Sequence, residues 1–115
     1  MAKKPGTSET DLASISNRLD EFRRRIDSLD AEIVRLLNER AACANEIGEV
    51  KDSVGMDTYQ PSREKDVLVH VRNVNDGPLA NDAITRVFER IIDESRRLER
   101  ITSEAKKVQV EGSGE

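Results

Sequence analysis

The positively charged residues Arg40 and Lys51 stand where a helical pattern otherwise places apolar residues. On a wheel of about 100° per residue, both fall near the centre of the apolar face of a long predicted helix, and Arg23 lies at the edge of that face. A guanidinium that leaves water without a partner costs several kcal/mol, so each of these cations needs an anion. That anion comes either from the folded protein or from a ligand, and the function depends on which of the two supplies it.

Two shorter predicted helices place more polar residues on their inward faces. Arg63 and Glu64 stand at the start of the second helix, and Ser95 and Glu99 stand four residues apart on the third. Together with the residues of the first helix they make a set of four cations against two carboxylates. An ion-pair network explains any one of these residues at least as well, but the surplus of positive charge in the whole set favours a small polycarboxylate ligand.

The residue types that are missing narrow the chemistry. The sequence has one histidine and one cysteine, Cys43, so it offers no paired histidines for a metal, and we find no serine, histidine and aspartate triad. It also has no glycine-rich phosphate-binding motif. We therefore predict no metal and no cofactor, and we expect Cys43 to be a small packed thiol. A site of fixed cations and hydrogen-bond donors catalyses by orientation and electrostatic preorganisation, without a covalent intermediate.

Composition excludes several other classes of protein. The formal net charge is -4, whereas general nucleic-acid binders carry a basic excess. The sequence has no run of 18 or more apolar residues and no apolar signal-peptide core at its N-terminus. We therefore predict a soluble, cytoplasmic protein that binds neither nucleic acid nor a membrane.

The first helix is predicted from residue 12 to residue 51, because apolar residues recur there at alternating spacings of three and four. These residues are Leu12, Ile15, Leu19, Phe22, Ile26, Leu29, Ile33, Leu36, Ile47 and Val50. About 40 residues give a rod of about 60 Å, which a chain of this size cannot cover by itself. The pattern therefore predicts a homodimer of all-α protomers in which two long helices pair.

The remaining chain divides into a loop over residues 52–61, a second helix over 63–74 with Ser62 as its N-cap, a turn over 75–78 and a third helix. The apolar residues of the third helix are Ile84, Val87, Phe88, Ile91, Ile92 and Leu98. The sequence thus predicts one domain over residues 11–104. Polar, glycine-containing segments at residues 1–10 and 105–115 are predicted to be disordered tails.

Five ordered blocks of this sequence resemble the all-helical AroQ-class chorismate mutases. They are FRRRIDSLD at 22–30, LLNER at 36–40, IGEVK at 47–51, YQPSRE at 59–64 and SRRLE at 95–99. The run at 59–64 and NDGPL at 75–79 are most similar to the mutase domain of bifunctional mutase and prephenate dehydratase proteins. The resemblance covers about residues 19 to 99, most of the chain.

The resemblance implies an intertwined homodimer of three-helix protomers with the chorismate mutase II fold. It also implies an isomerase of phenylalanine and tyrosine biosynthesis that rearranges chorismate to prephenate. By position, Arg40 and Arg23 bind the two substrate carboxylates, with Arg23 supplied by the other protomer, and Lys51 donates to the ether oxygen. The other implied substrate contacts are Glu64 at the ring hydroxyl, Arg63 at a carboxylate, and Gln60 and Ser95 as lesser polar contacts.

Glu99 completes the implied catalytic set of Lys51, Glu99 and Arg40. Some family members have glutamine at this position, and a carboxyl group donates to the ether oxygen only when it is protonated. We therefore expect activity to decline as pH rises.

Two alternatives remain at this point. One is an isochorismate-pyruvate lyase on the same fold, and the other is a helical dimerisation module without catalysis. Full pairing of Arg40 and Lys51 with protein carboxylates would favour the second. Docking on another enzyme of the aromatic pathway is a further candidate interaction.

Overall fold

A computed structural model describes residues 9–57 and 60–113 of the chain. It contains three α-helices: α1 (Glu9–Ser53), α2 (Pro61–Val74) and α3 (Asn81–Ser113). No strand occurs in the described residues, which confirms the predicted all-α class with a very long first helix. Among these same residues, no helix combines the length and the apolar character that crossing a membrane requires.

Helix α1 begins three residues before the predicted bound at residue 12 and ends two residues after the predicted bound at residue 51. No proline or glycine interrupts it before Gly48. The chain divides into two compact units, residues 1–36 and residues 37–115, and each is described by itself. In the described part of the first unit, the apolar residues of α1 from Leu12 to Leu36 are all about half exposed, between 47% and 58%. Within one chain, the predicted apolar face is therefore formed but not covered.

The second unit contains the small core of the chain. Helix α2 packs against α3, and Val71 of α2 and Ile92 of α3 are buried. Helix α2 begins at Pro61 rather than after the predicted N-cap Ser62, because proline at the first helical position has a suitable φ and has no N–H to satisfy. The carbonyl of Gln60 instead accepts the backbone N–H groups of Arg63 and Glu64, at 3.1 and 3.3 Å.

The turn between α2 and α3 is organised by Asn75. Its side-chain amide donates to the carbonyl of Leu79 and to Oδ1 of Asn81, both at 2.8 Å, and its Oδ1 accepts the N–H of Gly77 at 3.1 Å. Gly77 has a φ of +78°, a left-handed conformation that glycine adopts readily, and it lies within the predicted turn over 75–78.

Helix α3 continues well past the predicted domain end. The segment from residue 105, predicted to be disordered, is helical to Ser113. The prediction was wrong because it considered only polar composition. No proline or glycine occurs in α3 before Gly112, and Lys106 Nζ lies 2.5 Å from Oε1 of Glu49 in α1. The predicted N-terminal tail falls largely on residues 1–8, which lie outside the described residues.

Asn75→Ala removes three hydrogen bonds from the α2–α3 turn. We expect the free energy of unfolding to fall by about 1–2 kcal/mol, because water replaces a fixed hydrogen-bond partner of Leu79 O and of the Gly77 N–H. Urea unfolding followed by circular dichroism at one protein concentration measures this loss. Asn73→Ala, at an exposed position of α2, is the matched control and should change stability by no more than about 0.5 kcal/mol. Equal effects of the two substitutions would contradict the role of Asn75.

Candidate functional site

A cavity of about 270 Å³ in the second unit is lined by residues of all three helices. It gathers most of the residues that the sequence predicted for the site. These are Arg40, Lys51, Gln60, Arg63, Glu64, Ser95 and Glu99. The remaining predicted residue, Arg23, belongs to the first unit, where its side chain is 70% exposed and lies 3.6 Å from the carboxylate of Asp20.

Helix α1 supplies one face of the cavity through residues spaced by three and four. Arg40, Ala44, Gly48 and Lys51 lie on this face, and the helical period alone places them there. Arg40 is half-buried, and its Nη1 donates to Oγ of Ser95 on α3 at 3.4 Å. The weak bond joins two residues that the sequence had assigned to one site from separate helices.

The cavity holds more positive than negative charge. Its cationic residues are Arg40, Lys51, Arg63 and Arg96, and its carboxyl groups are those of Glu64 and Glu99. Among the described residues, neither Arg40 nor Lys51 nor Arg63 forms an ion pair, whereas Glu64 is paired with Arg96. Ion pairs within the described part of the chain therefore leave these three cations unneutralised, and the cavity carries a surplus of positive charge.

Glu99 lies directly over Gly48 of α1. A Cβ added to Gly48 would stand 3.7 Å from Cδ and Cγ of Glu99, and Gly48 itself is buried. Burial raises the pKa of Glu99 above its ordinary value of 4.5, and the negative charge of Asp52 raises it further. The positive charges of Lys51 and Arg96 oppose the rise, but the net direction is upward. Glu99 is therefore the carboxyl group of the cavity that is shifted toward its protonated, hydrogen-bond-donating form.

The profile of the family described as chorismate mutase type II matches residues 22–100, which include all eight predicted site residues. The chain belongs to the chorismate mutase type II family. Its similarity to the bifunctional chorismate mutase/prephenate dehydratase of Neisseria gonorrhoeae is 41% identity over 90 residues, which are 75% of this chain and 24% of that protein. The chain thus spans about a quarter of the length of that relative.

Shorter chorismate mutases match over most of their own length. The chorismate mutase of Methanocaldococcus jannaschii is 27% identical over 84 residues, which are 72% of this chain and 85% of the relative. The form II structure of chorismate mutase from Thermus thermophilus superposes with a TM-score of 0.70 at 34% identity, covering 72% of this chain and 94% of that one. These similarities confirm the predicted fold of the chorismate mutase type II family.

Two polar residues of the cavity were missed or misjudged from the sequence. Cys43 was expected to be packed, but it is exposed and lines the cavity. Arg96 was not singled out at all. It lies about 100° around α3 from Ser95, outside the inward stripe, and only its long side chain brings the guanidinium to the cavity. Its spacing of three from both Asp93 and Glu99 was the one available signal.

Apolar side chains form the rest of the cavity wall: Ala44, Ile47, Val67 and Ile92. In the described part of the chain, no group of three or more histidine, cysteine, aspartate or glutamate residues is placed to hold a metal ion.

Glu99→Gln should change how stability depends on pH. Because the folded protein raises the pKa of Glu99, the folded state retains this proton to higher pH than the unfolded state. The stability that Glu99 contributes is fully present below its ordinary pKa of 4.5 and is lost as pH rises through the raised pKa. The variant lacks this loss, so its free energy of unfolding relative to the unsubstituted protein should increase across that range.

Urea unfolding at one protein concentration, repeated from about pH 4 to pH 8, tests this expectation. Glu89→Gln, at an exposed position of the same helix, is the matched control for the change from carboxylate to amide. The quantity to follow is the free energy of unfolding of the Glu99 variant minus that of the unsubstituted protein. If this difference stays constant or falls as pH rises, the pKa of Glu99 is not raised.

Proposed function

We propose that this chain is a chorismate mutase that catalyses the rearrangement of chorismate to prephenate. The observation that carries the proposal is the cavity in which Arg40, Lys51 and Arg63 form no ion pairs within the described residues. Membership of the chorismate mutase type II family supports it. Chorismate is a small dianion, and its charge complements the surplus of cations. Because the chain spans about a quarter of the bifunctional relatives, the proposal concerns the mutase reaction alone.

The proposed mechanism assigns orientation and electrostatic stabilisation to the protein. The reaction is unimolecular: one carbon–oxygen bond breaks while a carbon–carbon bond forms, and no proton is transferred. Arg40 and Arg63 bind carboxylate groups and hold the flexible substrate in its compact conformer. Lys51 donates to the ether oxygen, where negative charge develops in the transition state.

Glu64 and Glu99 have different roles in this proposal. Glu64 accepts a hydrogen bond from the ring hydroxyl, and Gln60 and Ser95 supply lesser polar contacts. Glu99 donates from its protonated carboxyl group to the ether oxygen beside Lys51, and its raised pKa supports this role. Activity should then decline as pH rises through that pKa, and Glu99→Gln, whose amide donates at every pH, should flatten the profile of kcat against pH.

The proposal includes a homodimer. The apolar face of α1 from Leu12 to Leu36 is about half exposed at every position, which supports burial against a second copy. Arg23 is absent from the cavity of its own chain, and in the dimer it would reach the cavity of the partner protomer. A second copy would thus supply both the missing cover and the missing arginine.

The cellular role follows from the reaction. We infer that the protein acts in the cytoplasm, in phenylalanine and tyrosine biosynthesis. Bifunctional relatives combine chorismate mutase with prephenate dehydratase in one chain. We therefore propose an enzyme that consumes prephenate as the candidate docking partner.

Lys51→Ala and Arg40→Ala should each lower kcat by about 10²- to 10³-fold, because each removes a preorganised positive group from the transition state. The measurement is the spectroscopic loss of chorismate, with prephenate identified as product. Lys65→Ala and Arg86→Ala, at exposed positions outside the cavity, are the matched controls. Circular dichroism should show unchanged helix content. Turnover near that of the unsubstituted protein in either cavity variant would refute the assignment.

Parallel assays on chorismate and on isochorismate separate the two alternatives from the proposed mutase. Preferential release of pyruvate from isochorismate would identify a lyase instead. Absence of turnover on both substrates would leave a helical dimerisation module.

The contribution of Arg23 across the dimer predicts complementation between two inactive variants. Each proposed site takes Arg40 from one protomer and Arg23 from the other. A dimer of one Arg23→Ala chain and one Arg40→Ala chain therefore contains one site with both arginines and one site with neither. After unfolding and refolding together in equal amounts, the mixture should regain about a quarter of the activity of the unsubstituted protein.

Each variant refolded alone is the control and should remain inactive. A mixture that stays as inactive as its components, while sedimentation shows dimers, would place Arg23 outside the site of the partner.

A further inference from the structure

Arg96 forms the most extensive ion-pair contact of the cavity. Its Nε lies 2.9 Å from Oε1 of Glu64, and its Nη2 donates to Oε2 of Glu64 at 3.2 Å. The same Nη2 also donates to Oδ1 of Asp93, one turn earlier on α3, at 3.1 Å. One guanidinium therefore joins a carboxylate of its own helix to a carboxylate of α2.

The geometry of this contact restrains the side chain of Glu64 strongly. The guanidinium contacts both oxygens of the carboxylate, by a hydrogen bond from Nη2 and an ion-pair contact from Nε. Contact with both oxygens restrains the position and the plane of a carboxylate, which a single point contact does not. The bond to Asp93 in turn restrains the guanidinium. An isolated ion pair on the surface contributes little to stability. The pair of Arg96 and Glu64 differs because the guanidinium contacts both carboxylate oxygens and also binds Asp93, and because the Glu64 side chain is only 26% exposed.

The pairing leaves Glu64 able to bind a ligand. Each carboxylate oxygen has two acceptor positions, and Arg96 uses one on each oxygen. Because Glu64 lines the cavity, the remaining acceptor positions are available to a donor there. Glu64 is thus held as an acceptor, whereas Glu99 in the same cavity is shifted toward a donor.

We propose that Arg96 is a positioning residue, which acts on the reaction by holding the carboxylate of Glu64 in the orientation that accepts the ring hydroxyl of the substrate. This inference rests on the proposed function. It separates Arg96 from the other cations of the cavity, since Arg40, Lys51 and Arg63 face it without ion-pair partners among the described residues. Arg96 instead donates hydrogen bonds to Glu64 and Asp93.

A double-mutant cycle distinguishes positioning from direct contact with the substrate. Arg96→Ala should lower kcat/KM roughly ten- to a hundredfold, because a misoriented Glu64 no longer meets the hydroxyl. Glu64→Ala should cost at least as much. The double variant should be no worse than Glu64→Ala alone, because Arg96 has nothing left to orient.

Two further variants sharpen the test. Arg96→Lys keeps the charge but not the two-pronged fork, so it should recover only part of the lost activity. Arg97→Ala is the matched control, since Arg97 is the neighbouring arginine, is exposed and does not line the cavity. It should leave kcat/KM unchanged, and circular dichroism should confirm that all variants keep their helix content.

The outcomes separate this inference from the proposed function. No turnover by the unsubstituted protein would overturn the proposed function, and this role for Arg96 with it. Turnover that is reduced independently by the two substitutions, so that their factors multiply in the double variant, would overturn the positioning role alone. Full activity of Arg96→Lys would likewise overturn it, because charge alone would then suffice.

Discussion

The desolvation of positive charge along one face of α1 is the constraint on which the rest of this structure depends. Arg40 and Lys51 share that face with apolar residues of the helix, and both are half-buried in the cavity that α1 lines together with α2 and α3. The cavity brings Arg63 and Arg96 to the same place with only two carboxyl groups. An arrangement of this kind favours a doubly negative ligand, and it also favours a transition state in which negative charge develops on an ether oxygen.

The two carboxyl groups of the cavity differ because their surroundings differ. Glu64 meets a two-pronged guanidinium at hydrogen-bonding distance, whereas Glu99 lies over a buried glycine, where desolvation outweighs the more distant attraction of Lys51 and Arg96. One cavity thus contains an oriented acceptor and a group shifted toward a donor. A substrate with both a hydroxyl group and an ether oxygen needs this pair of opposite roles.

The chain has a small core of its own. Val71 and Ile92 are the buried apolar residues between α2 and α3, while the apolar residues of α1 stay about half exposed in both units, up to 67% at Val50. Such exposure is costly in water for one isolated chain. In the proposed dimer the same apolar face would connect stability with function, since the partner that covers it would also supply Arg23.

The sequence by itself determined the features that depend on local helical geometry. A period of 3.6 residues suffices to place Arg40, Gly48 and Lys51 on one face of α1, and the residue types at 75–78 suffice to mark the turn there. The five motif blocks determined the family, because their order and spacing are specific. Local composition failed at the end of α3, where contact with α1 supports a helix that polar residues alone did not indicate.

Only the tertiary structure decided which side chains meet between helices. The pairing of Arg96 with Glu64, the exposure of Cys43 and the direction of the Glu99 pKa all depend on the rotation and depth of α3 relative to α1 and α2. The period of one helix contains no information about these quantities, and a long arginine side chain reaches surfaces that its Cα position does not indicate. Burial and charge pairing are long-range properties of the folded chain, so these features became visible only once the helices were packed.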